Sequence, residues 1–221
     1  NVPTMQMDGE LPKKEYFKNS FSRKLSESDG GIHTVLTGRM IGISNEDIET
    51  MAKNNIHLHL YTQNYYEGNN REDLVKLAPS HFHVHQHVFA DKWTEELSKY
   101  DAGWLHCHKS GNEGNMLFAT WDDLNLPARI ATYAAAGLPI ILPDNTGNTV
   151  ASNRITTQYG IGIEYKNWDE LINQLKEEIK TQEHTKNMME CRMQFCFDYH
   201  VPRLIDFFYR AISWKNENNG N

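Results

Sequence analysis

The stretch from Asn125 to Pro143 constrains the fold more than any other part of the chain, because it carries the signals of a complete helix followed by a buried strand. Asn125 is suited to capping the first turn, and Pro127 fits that turn because its missing N–H donor is not needed there. Gly137 can leave the helix in the left-handed conformation, and Pro139 prevents the helix from continuing. The sequence therefore predicts a helix that starts at Pro127 and ends at Gly137.

The residues after this helix predict the strand on which it packs. Leu138 to Leu142 is a short apolar run, and the alanines at 134 to 136 let the helix lie close to a parallel sheet. Residues 62–80 are predicted to be a polar connection at the rim of the domain, with one short helix. Apolar runs and helical periodicity predict the other elements: strands at 32–37, 56–61, 81–88, 101–107 and 161–164, and helices at 45–54, 72–77, 91–100, 150–159, 168–180, 186–197 and 201–214. Ser44 and Asn167 are expected to cap the helices that follow them.

Length, charge and cysteine content limit the class of protein. With 221 residues, 39% of them hydrophobic, the chain is long enough for one α/β domain with a proper core, with or without a small appendage. A net charge of −7 argues against a nucleic-acid partner, because proteins that bind the phosphate backbone carry a basic excess. The three cysteines favour a reducing compartment, and no apolar run approaches the ~20 residues of a transmembrane span. We therefore expect a cytoplasmic protein, with the inner membrane face as a place for peripheral association.

The pattern Pro-x-Arg-x-x-x-Tyr-x-Ala-x-Gly-x-Pro, from Pro127 to Pro139, resembles the donor-nucleotide helix of glycosyltransferases with the GT-B fold. In that family this helix begins at the diphosphate of the sugar nucleotide. A helix start is a suitable anion site, because its N–H groups are unpaired and its dipole is positive there. Arg129 lies in the first turn, where we expect an exposed side chain that adds a bidentate contact to phosphate oxygens. The alternative is an ordinary surface arginine on a helix that packs on the core.

The resemblance covers residues 32–212 and implies a Rossmann-like three-layer αβα sandwich with a mostly parallel sheet. This region corresponds to the C-terminal, donor-binding half of a GT-B enzyme, so we expect an N-terminal half to be missing. That half would bind a carbohydrate or lipid-linked acceptor. We predict a linker at 1–30 that leads into the domain, a nucleotide-sugar-binding domain at 31–200, and a C-terminal helix with a frayed tail at 201–221.

The family also places a Gly-Arg pair at the end of the first strand of this half, with the arginine pointing toward the donor diphosphate. Gly38 and Arg39 occupy that place, but the lysine that usually follows a few residues later is absent. The resemblance therefore implies Arg39 and Arg129 as the catalytic cations. The pair of cations that binds the diphosphate is either incomplete here or completed by Arg129 or Lys109. An ordinary arginine at the end of a strand is an equally good reading of Arg39. Gly38 and Gly42 do not form a dinucleotide fingerprint, so we expect no nicotinamide or flavin cofactor.

The remaining predicted binding residues lie at the ends of strands or on the donor helix. A Tyr-Asp-x-Gly sequence similar to that of the family precedes His106, and the following loop at 110–124 is long enough to be a mobile lid. Residues at the carboxyl ends of parallel strands meet at the ligand-binding edge of the sheet. The predicted substrate-binding set is Gly38, His87, Val88, His106, His108, Lys109, Asn125, Pro127, Thr132 and Tyr133, with the histidines, Val88 and Lys109 beside the base.

Two positions depart from the family pattern. Many retaining members carry one glutamate that binds the ribose hydroxyls and another near the transferred sugar, and here Thr132 and Leu124 occupy those places. Threonine offers a neutral hydroxyl, which binds more weakly than a carboxylate. Glu113 or Asp123 in the loop are candidate substitutes. We therefore expect altered affinity or donor choice.

A run of alternating histidines, from His81 to His87, invites a metal-site interpretation. In a strand all four side chains would face one side, but residues two apart point in parallel, whereas a metal site needs three or four converging ligands. His57 and His59, or His106 and His108, would have to supply the remaining ligands. We expect a half-buried structural strand without bound metal.

The sequence thus predicts a hexosyltransferase that uses a nucleoside-diphosphate sugar and needs neither cofactor nor metal. Two alternatives remain. One is a sugar-nucleotide epimerase of the same fold, and the other is a degenerate module that binds a nucleotide or a partner without catalysis. The donor base, the sugar, the acceptor and the stereochemical outcome do not follow from the sequence.

Overall fold

The computed structural model describes residues 2–7, 10–62 and 71–218. The predicted polar stretch at 63–70 lies outside these residues. The strands are β1 (Ile32–Thr37), β2 (Ile56–Thr62), β3 (Phe82–Gln86), β4 (Ala102–Trp104), β5 (Ile140–Pro143) and β6 (Gly162–Tyr165). The helices are α1 (Ser26–Asp29), α2 (Asn45–Lys53), α3 (Glu72–Leu77), α4 (Trp93–Leu97), α5 (Trp121–Leu124), α6 (Arg129–Ala136), α7 (Ala151–Tyr159), α8 (Trp168–Thr181), α9 (Glu183–Cys191) and α10 (Phe197–Asn218).

All six strands form one parallel sheet in the order β3-β2-β1-β4-β5-β6. This is the strand order of a doubly wound Rossmann sheet, in which the chain reverses direction across the sheet between β1 and β4. Ligands of such sheets bind outside the carboxyl ends of the strands at that switch point. The predicted Rossmann-like sandwich is confirmed, and the described sheet is entirely rather than mostly parallel.

Each face of the sheet carries its own apolar core. Val35 and Leu36 are adjacent in β1 and fully buried, and they point into opposite layers. Val35 packs with Leu97, Tyr100 and the alanines of α6, whereas Leu36 packs in the layer that contains α2 and α8. Burying one aliphatic side chain stabilises the fold by about 1.5–3 kcal/mol. This two-sided burial also explains the continuous apolar run of β5, in which Ile140 and Leu142 face one layer and Ile141 faces the other.

Two predicted helix caps are confirmed by hydrogen bonds. Ser44 accepts from the Asp47 N–H at 3.2 Å in a reciprocal capping box before α2. Asn167 accepts from the Glu170 N–H at 3.0 Å before α8. Two strands end earlier than predicted: β4 ends at Trp104 rather than at Cys107, and β3 ends at Gln86 rather than at Val88.

The N-terminal segment, predicted as a linker, packs on the domain. Phe17 is 7% exposed within the core on the α6 side of the sheet. Arg192 donates to the Lys18 carbonyl at 2.7 Å, and the Phe197 N–H donates to the Pro12 carbonyl at 2.9 Å. The segment is therefore hydrogen-bonded to the elements that follow α9. The domain limits at 30 and 200 remain predictions.

The C-terminal helix α10 extends to Asn218, so residues 216–218 are helical where fraying was predicted. None of its described side chains is buried, and several large apolar ones are exposed, including Ile205, Phe208 and Ile212. Within the described parts of the chain, no helix is both long enough and apolar enough to cross a bilayer.

Candidate functional site

A cleft of about 760 Å³ opens at the carboxyl ends of β1 and β2, beside the start of α6. It therefore lies at the switch point of the sheet, where the fold places ligands. Nine of the predicted site residues line it: Gly38, Arg39, His87, Val88, His106, Asn125, Pro127, Arg129 and Thr132.

Arg129 is the most unusual side chain of the cleft. It is only 9% exposed, so the expectation of an exposed arginine was wrong. Its Nη2 atom donates to the Arg39 carbonyl at 2.9 Å. Its buried Nη1 atom has no hydrogen-bond partner among the described residues. A buried cation with a free donor is costly unless an anion or acceptor approaches it.

The start of α6 differs from the prediction in one respect. Asn125 does not cap this helix, because it ends α5, where its N–H donates to the Trp121 carbonyl at 2.9 Å. The helix begins at Arg129 after Ala128, without a side-chain cap. Pro127 still opens the first turn, since its carbonyl accepts from the Ile130 N–H at 3.0 Å. The uncapped start of an eight-residue helix thus faces the cleft beside Arg129.

Gly38 turns the chain from β1 into the cleft. Its φ of +85° is in the left-handed region, which favours glycine. Its N–H donates to the Tyr61 carbonyl at 2.7 Å. This turn presents the carbonyl of Arg39 to Arg129 and leaves the Arg39 side chain exposed at the mouth of the cleft.

Other predicted residues follow the ends of neighbouring strands. His87 and Val88 come after β3, and His106 after β4. The pKa of His106 is lowered by burial and by the nearby positive charge of Arg129. His106 is therefore a neutral hydrogen-bonding group at pH 7. Thr132 is 8% exposed and presents a hydroxyl rather than a carboxylate.

The structure does not bring three predicted residues into this cleft. The Nε2 atom of His108 lies 2.9 Å from Asp123 Oδ1, beside a separate small cavity. Lys109 is exposed, and its ammonium group donates to the Lys166 carbonyl at 3.4 Å. Tyr133 is fully buried.

Tyr133 instead joins the central strands. Its hydroxyl accepts from the Thr37 N–H at 3.2 Å and lies 2.9 Å from the Trp104 carbonyl, to which it donates. Its ring lies over Gly103, where any Cβ would approach ring carbons to 2.7 Å. Its place in the predicted motif thus reflects packing between α6 and the switch point.

The loop predicted as a mobile lid is anchored at its base. The Asn112 side chain, 2% exposed, accepts from the Thr149 N–H and donates to the Thr149 carbonyl, both at 2.9 Å. The rest of the loop contains a 3₁₀ turn at Met116–Phe118 and the helix α5. Leu117 is 89% exposed and Trp121 is 78% exposed, and Trp121 lines the cleft.

Sequence reasoning missed several lining residues. Thr37, Tyr61, Thr62 and Trp93 border the cleft between the strand ends and α4. Thr37 and Tyr61 were detectable, since they end predicted strands in register with each other. Residues 10–12 also reach the cleft, and no signal in that polar segment indicated this. Glu10 supplies the one carboxylate among the described lining residues.

A layer of stacked histidines lies on one face of the sheet, between the cleft and the amino-terminal ends of the strands. His83 and His85 of β3 face one way, as predicted, whereas His87 follows the strand and lines the cleft. His81 and the histidines of β1 and β2 complete the layer, which consists of His33, His57, His59, His81, His83 and His85, with neighbouring rings 4.3–5.5 Å apart. Burial, reinforced by neighbouring histidines, lowers the pKa of His57 to about 4. Burial and Lys99 lower the pKa of His85 to about 4. Both imidazoles are therefore neutral at pH 7.

Comparison with known proteins gives structural but no sequence relatives. No described protein family and no curated protein matches the sequence. The fold is similar to that of AviGT4, a glycosyltransferase involved in avilamycin A biosynthesis, with a TM-score of 0.52 and 13% identity over 86% of this chain and 55% of that one. It is also similar to a candidate UDP-N-acetylglucosamine 2-epimerase from Listeria monocytogenes, with a TM-score of 0.52 and 9% identity over 93% of this chain and 51% of that one.

The chain spans about half the length of these two solved structures. At such low identities the likeness concerns the fold and not the reaction. The order of the strands, the position of the cleft at the switch point and the coverage of about half of each solved structure are all consistent with one Rossmann-like domain. The chain has the Rossmann-like fold of a GT-B domain, and its coverage fits the C-terminal domain of that architecture.

Proposed function

We propose that the domain binds a nucleoside-diphosphate sugar in the cleft and, joined to a second domain, transfers the hexosyl group to an acceptor. The observation that carries this proposal is the guanidinium group of Arg129, which is 9% exposed and whose Nη1 atom has no partner among the described residues. A diphosphate would supply both the missing negative charge and the missing acceptor.

The surroundings of Arg129 support an anion at this place. The helix α6 starts without a side-chain cap, and the positive end of its dipole faces the same space. Arg39 lies on an exposed turn at the mouth of the cleft, from which its side chain can approach a ligand. In this proposal the two arginines, rather than a metal ion, neutralise the diphosphate.

The chemistry assigned to this half is electrostatic. As the bond to the transferred sugar breaks, negative charge grows on the leaving diphosphate, and fixed cations stabilise that charge in the transition state. The base would lie near His87, Val88 and His106, and the ribose near Thr132. An inverting reaction would take its general base from the second domain. The three cysteines form no disulfide, which fits action in the cytoplasm.

Calorimetric titration with uridine, guanosine and thymidine diphosphates tests this function. We expect one of the three to bind at one site per chain, and the corresponding nucleoside without phosphates to bind far more weakly. If a folded sample binds none of the diphosphates, or binds the nucleoside as tightly as the diphosphate, the proposal fails.

The structural likeness to the epimerase favours a second candidate with the same cleft. An epimerase would release epimerised or free sugar without any acceptor, whereas a transferase would consume donor only when an acceptor is present. Incubation of the protein and its second domain with the donor identified above separates the two, because product analysis with and without acceptor gives opposite results.

A third candidate is a module that binds a nucleotide without catalysis. Thr132 and Leu124 stand where the resembled family has glutamates, and Lys109 lies outside the cleft. Tight diphosphate binding, combined with no turnover by the two-domain protein under any acceptor condition, would favour this candidate.

A further inference from the structure

A group of potential metal ligands lies at the amino-terminal ends of β1 and β2, at the opposite edge of the sheet from the cleft. Asp29, His33 and His57 each offer one ligand atom, and these three atoms all lie within 4.8 Å of one another. We propose that Asp29, His33 and His57 bind one divalent first-row transition-metal ion such as Zn²⁺.

Sheet register brings these ligands together. His33 of β1 lies directly beside His57 of β2 in the parallel ladder. Asp29 ends α1, and its two carboxylate oxygens lie 3.0 and 3.1 Å from His33 Nε2. Ligand atoms around a tetrahedral zinc ion are about 3.3 Å apart, given metal–ligand distances of about 2.0–2.2 Å. The Asp29–His33 pair is therefore already close to a chelating separation.

Gly31 keeps the space between the ligand atoms open. A Cβ at this position would lie 2.9 Å from His57 Nε2 and 3.3 Å from Asp29 Oδ1. Its own N–H donates to Asp29 Oδ1 at 2.9 Å, which holds the carboxylate over the ends of the two strands. Any larger residue would occupy the position between the carboxylate and the second imidazole.

Two further histidines of the same layer, His59 and His83, set the tautomers of the two imidazole ligands. His33 Nδ1 lies 3.0 Å from His59 Nε2, and His57 Nδ1 lies 3.2 Å from His83 Nε2. When these Nδ1 atoms donate, the Nε2 atoms carry the lone pairs that a metal requires. Metal-binding histidines commonly use their second nitrogen in this way, because the hydrogen bond fixes the tautomer and the ring orientation.

One movement completes the site. The rings of His33 and His57 are stacked 4.3 Å apart and 11° from parallel, so both lone pairs converge only after the His57 ring turns toward Asp29. The Asp29 side chain is 51% exposed, which gives water access to the fourth coordination position. The sequence-based expectation of no metal does not take Asp29 or His33 into account.

The proposed ion has a structural role that is separate from nucleotide binding. His33 is four residues before Thr37, which lines the cleft, so the two positions are roughly 13 Å apart along β1. The ion would join the end of α1 to β1 and β2. We therefore expect it to raise the melting temperature and to leave diphosphate affinity unchanged.

Zinc binding by protein without a histidine tag tests the proposal. We expect calorimetry to give one Zn²⁺ per chain, and Zn²⁺ at about 100-fold above its Kd to raise the melting temperature by about 5–10 °C. The substitutions Asp29→Asn and His57→Gln should each weaken binding at least tenfold, whereas His85→Gln, in the same histidine layer but outside the site, should bind as the parent does.

Asp29→Asn keeps the shape of a half-exposed side chain, so it is expected to fold and to give a clear answer. Co²⁺ added in place of Zn²⁺ should give visible absorption bands that Asp29→Asn and His57→Gln abolish and His85→Gln retains. The proposal is overturned if Zn²⁺ does not bind, or if His85→Gln abolishes binding while Asp29→Asn retains it.

Discussion

Replacing Arg129 by alanine should weaken binding of the nucleoside diphosphate by roughly tenfold to a hundredfold. The magnitude follows from the free Nη1 donor, because one charge-assisted hydrogen bond to a phosphate contributes about 1.5–3 kcal/mol, and about 1.4 kcal/mol corresponds to a factor of ten in Kd. Titration calorimetry with the nucleotide that the parent binds measures the change. Arg129→Lys should recover only part of the loss, since an ammonium restores the charge but not the planar fork.

The buried position of Arg129 also affects the interpretation of this variant. Alanine removes the hydrogen bond to the Arg39 carbonyl, but it also removes a buried charge with one unpaired nitrogen, so we expect the unfolding free energy to change by only about 1 kcal/mol. Lys109→Ala is the matched control, because it deletes a predicted cation that lies outside the cleft. If folded Arg129→Ala binds the diphosphate as tightly as the parent, the assignment of this helix to the donor is refuted.

Three further results are expected. The 221-residue chain alone should bind the diphosphate but transfer no sugar, so transfer detected by product analysis would show that one domain suffices. The hydrogen bond to Glu178 raises the pKa of His184 above 6.5. The stability that protonated His184 contributes should therefore be complete below about pH 6.5 and lost as pH rises through the raised pKa. Urea unfolding at about pH 6 and about pH 8.5 should show this loss in the parent and not in His184→Gln. Tyr133→Phe should destabilise the domain by about 1–3 kcal/mol in urea unfolding while the folded variant keeps its diphosphate affinity, because the lost hydroxyl bonds join buried strands; a large affinity loss at unchanged stability would contradict this.

The sequence was sufficient for the fold because its signals are local. Apolar runs, the caps at Ser44 and Asn167 and the Gly137 exit each lie within a few residues of the element that they define. The cap predicted at Asn125 was wrong because a short helix, α5, ends there, and a four-residue helix has no periodicity by which to recognise it.

The site was less predictable because burial and side-chain direction depend on packing between distant segments. The motif predicted that Arg129 and Tyr133 both contact the ligand. Tyr133 instead points into the sheet, and Arg129 is buried, with a hydrogen bond to the Arg39 carbonyl just after β1. Lys109 comes after β4, as His106 does, but its ammonium group donates to the Lys166 carbonyl outside the cleft. No pattern in the first residues predicted that Glu10 reaches the cleft.

The crystal structure of the domain with its nucleoside diphosphate tests the central claim most directly. We predict a phosphate oxygen about 2.7–2.9 Å from the Nη1 atom of Arg129, at the start of α6. A diphosphate bound elsewhere, for example at the start of α7, with Arg129 Nη1 still unpaired, would contradict it.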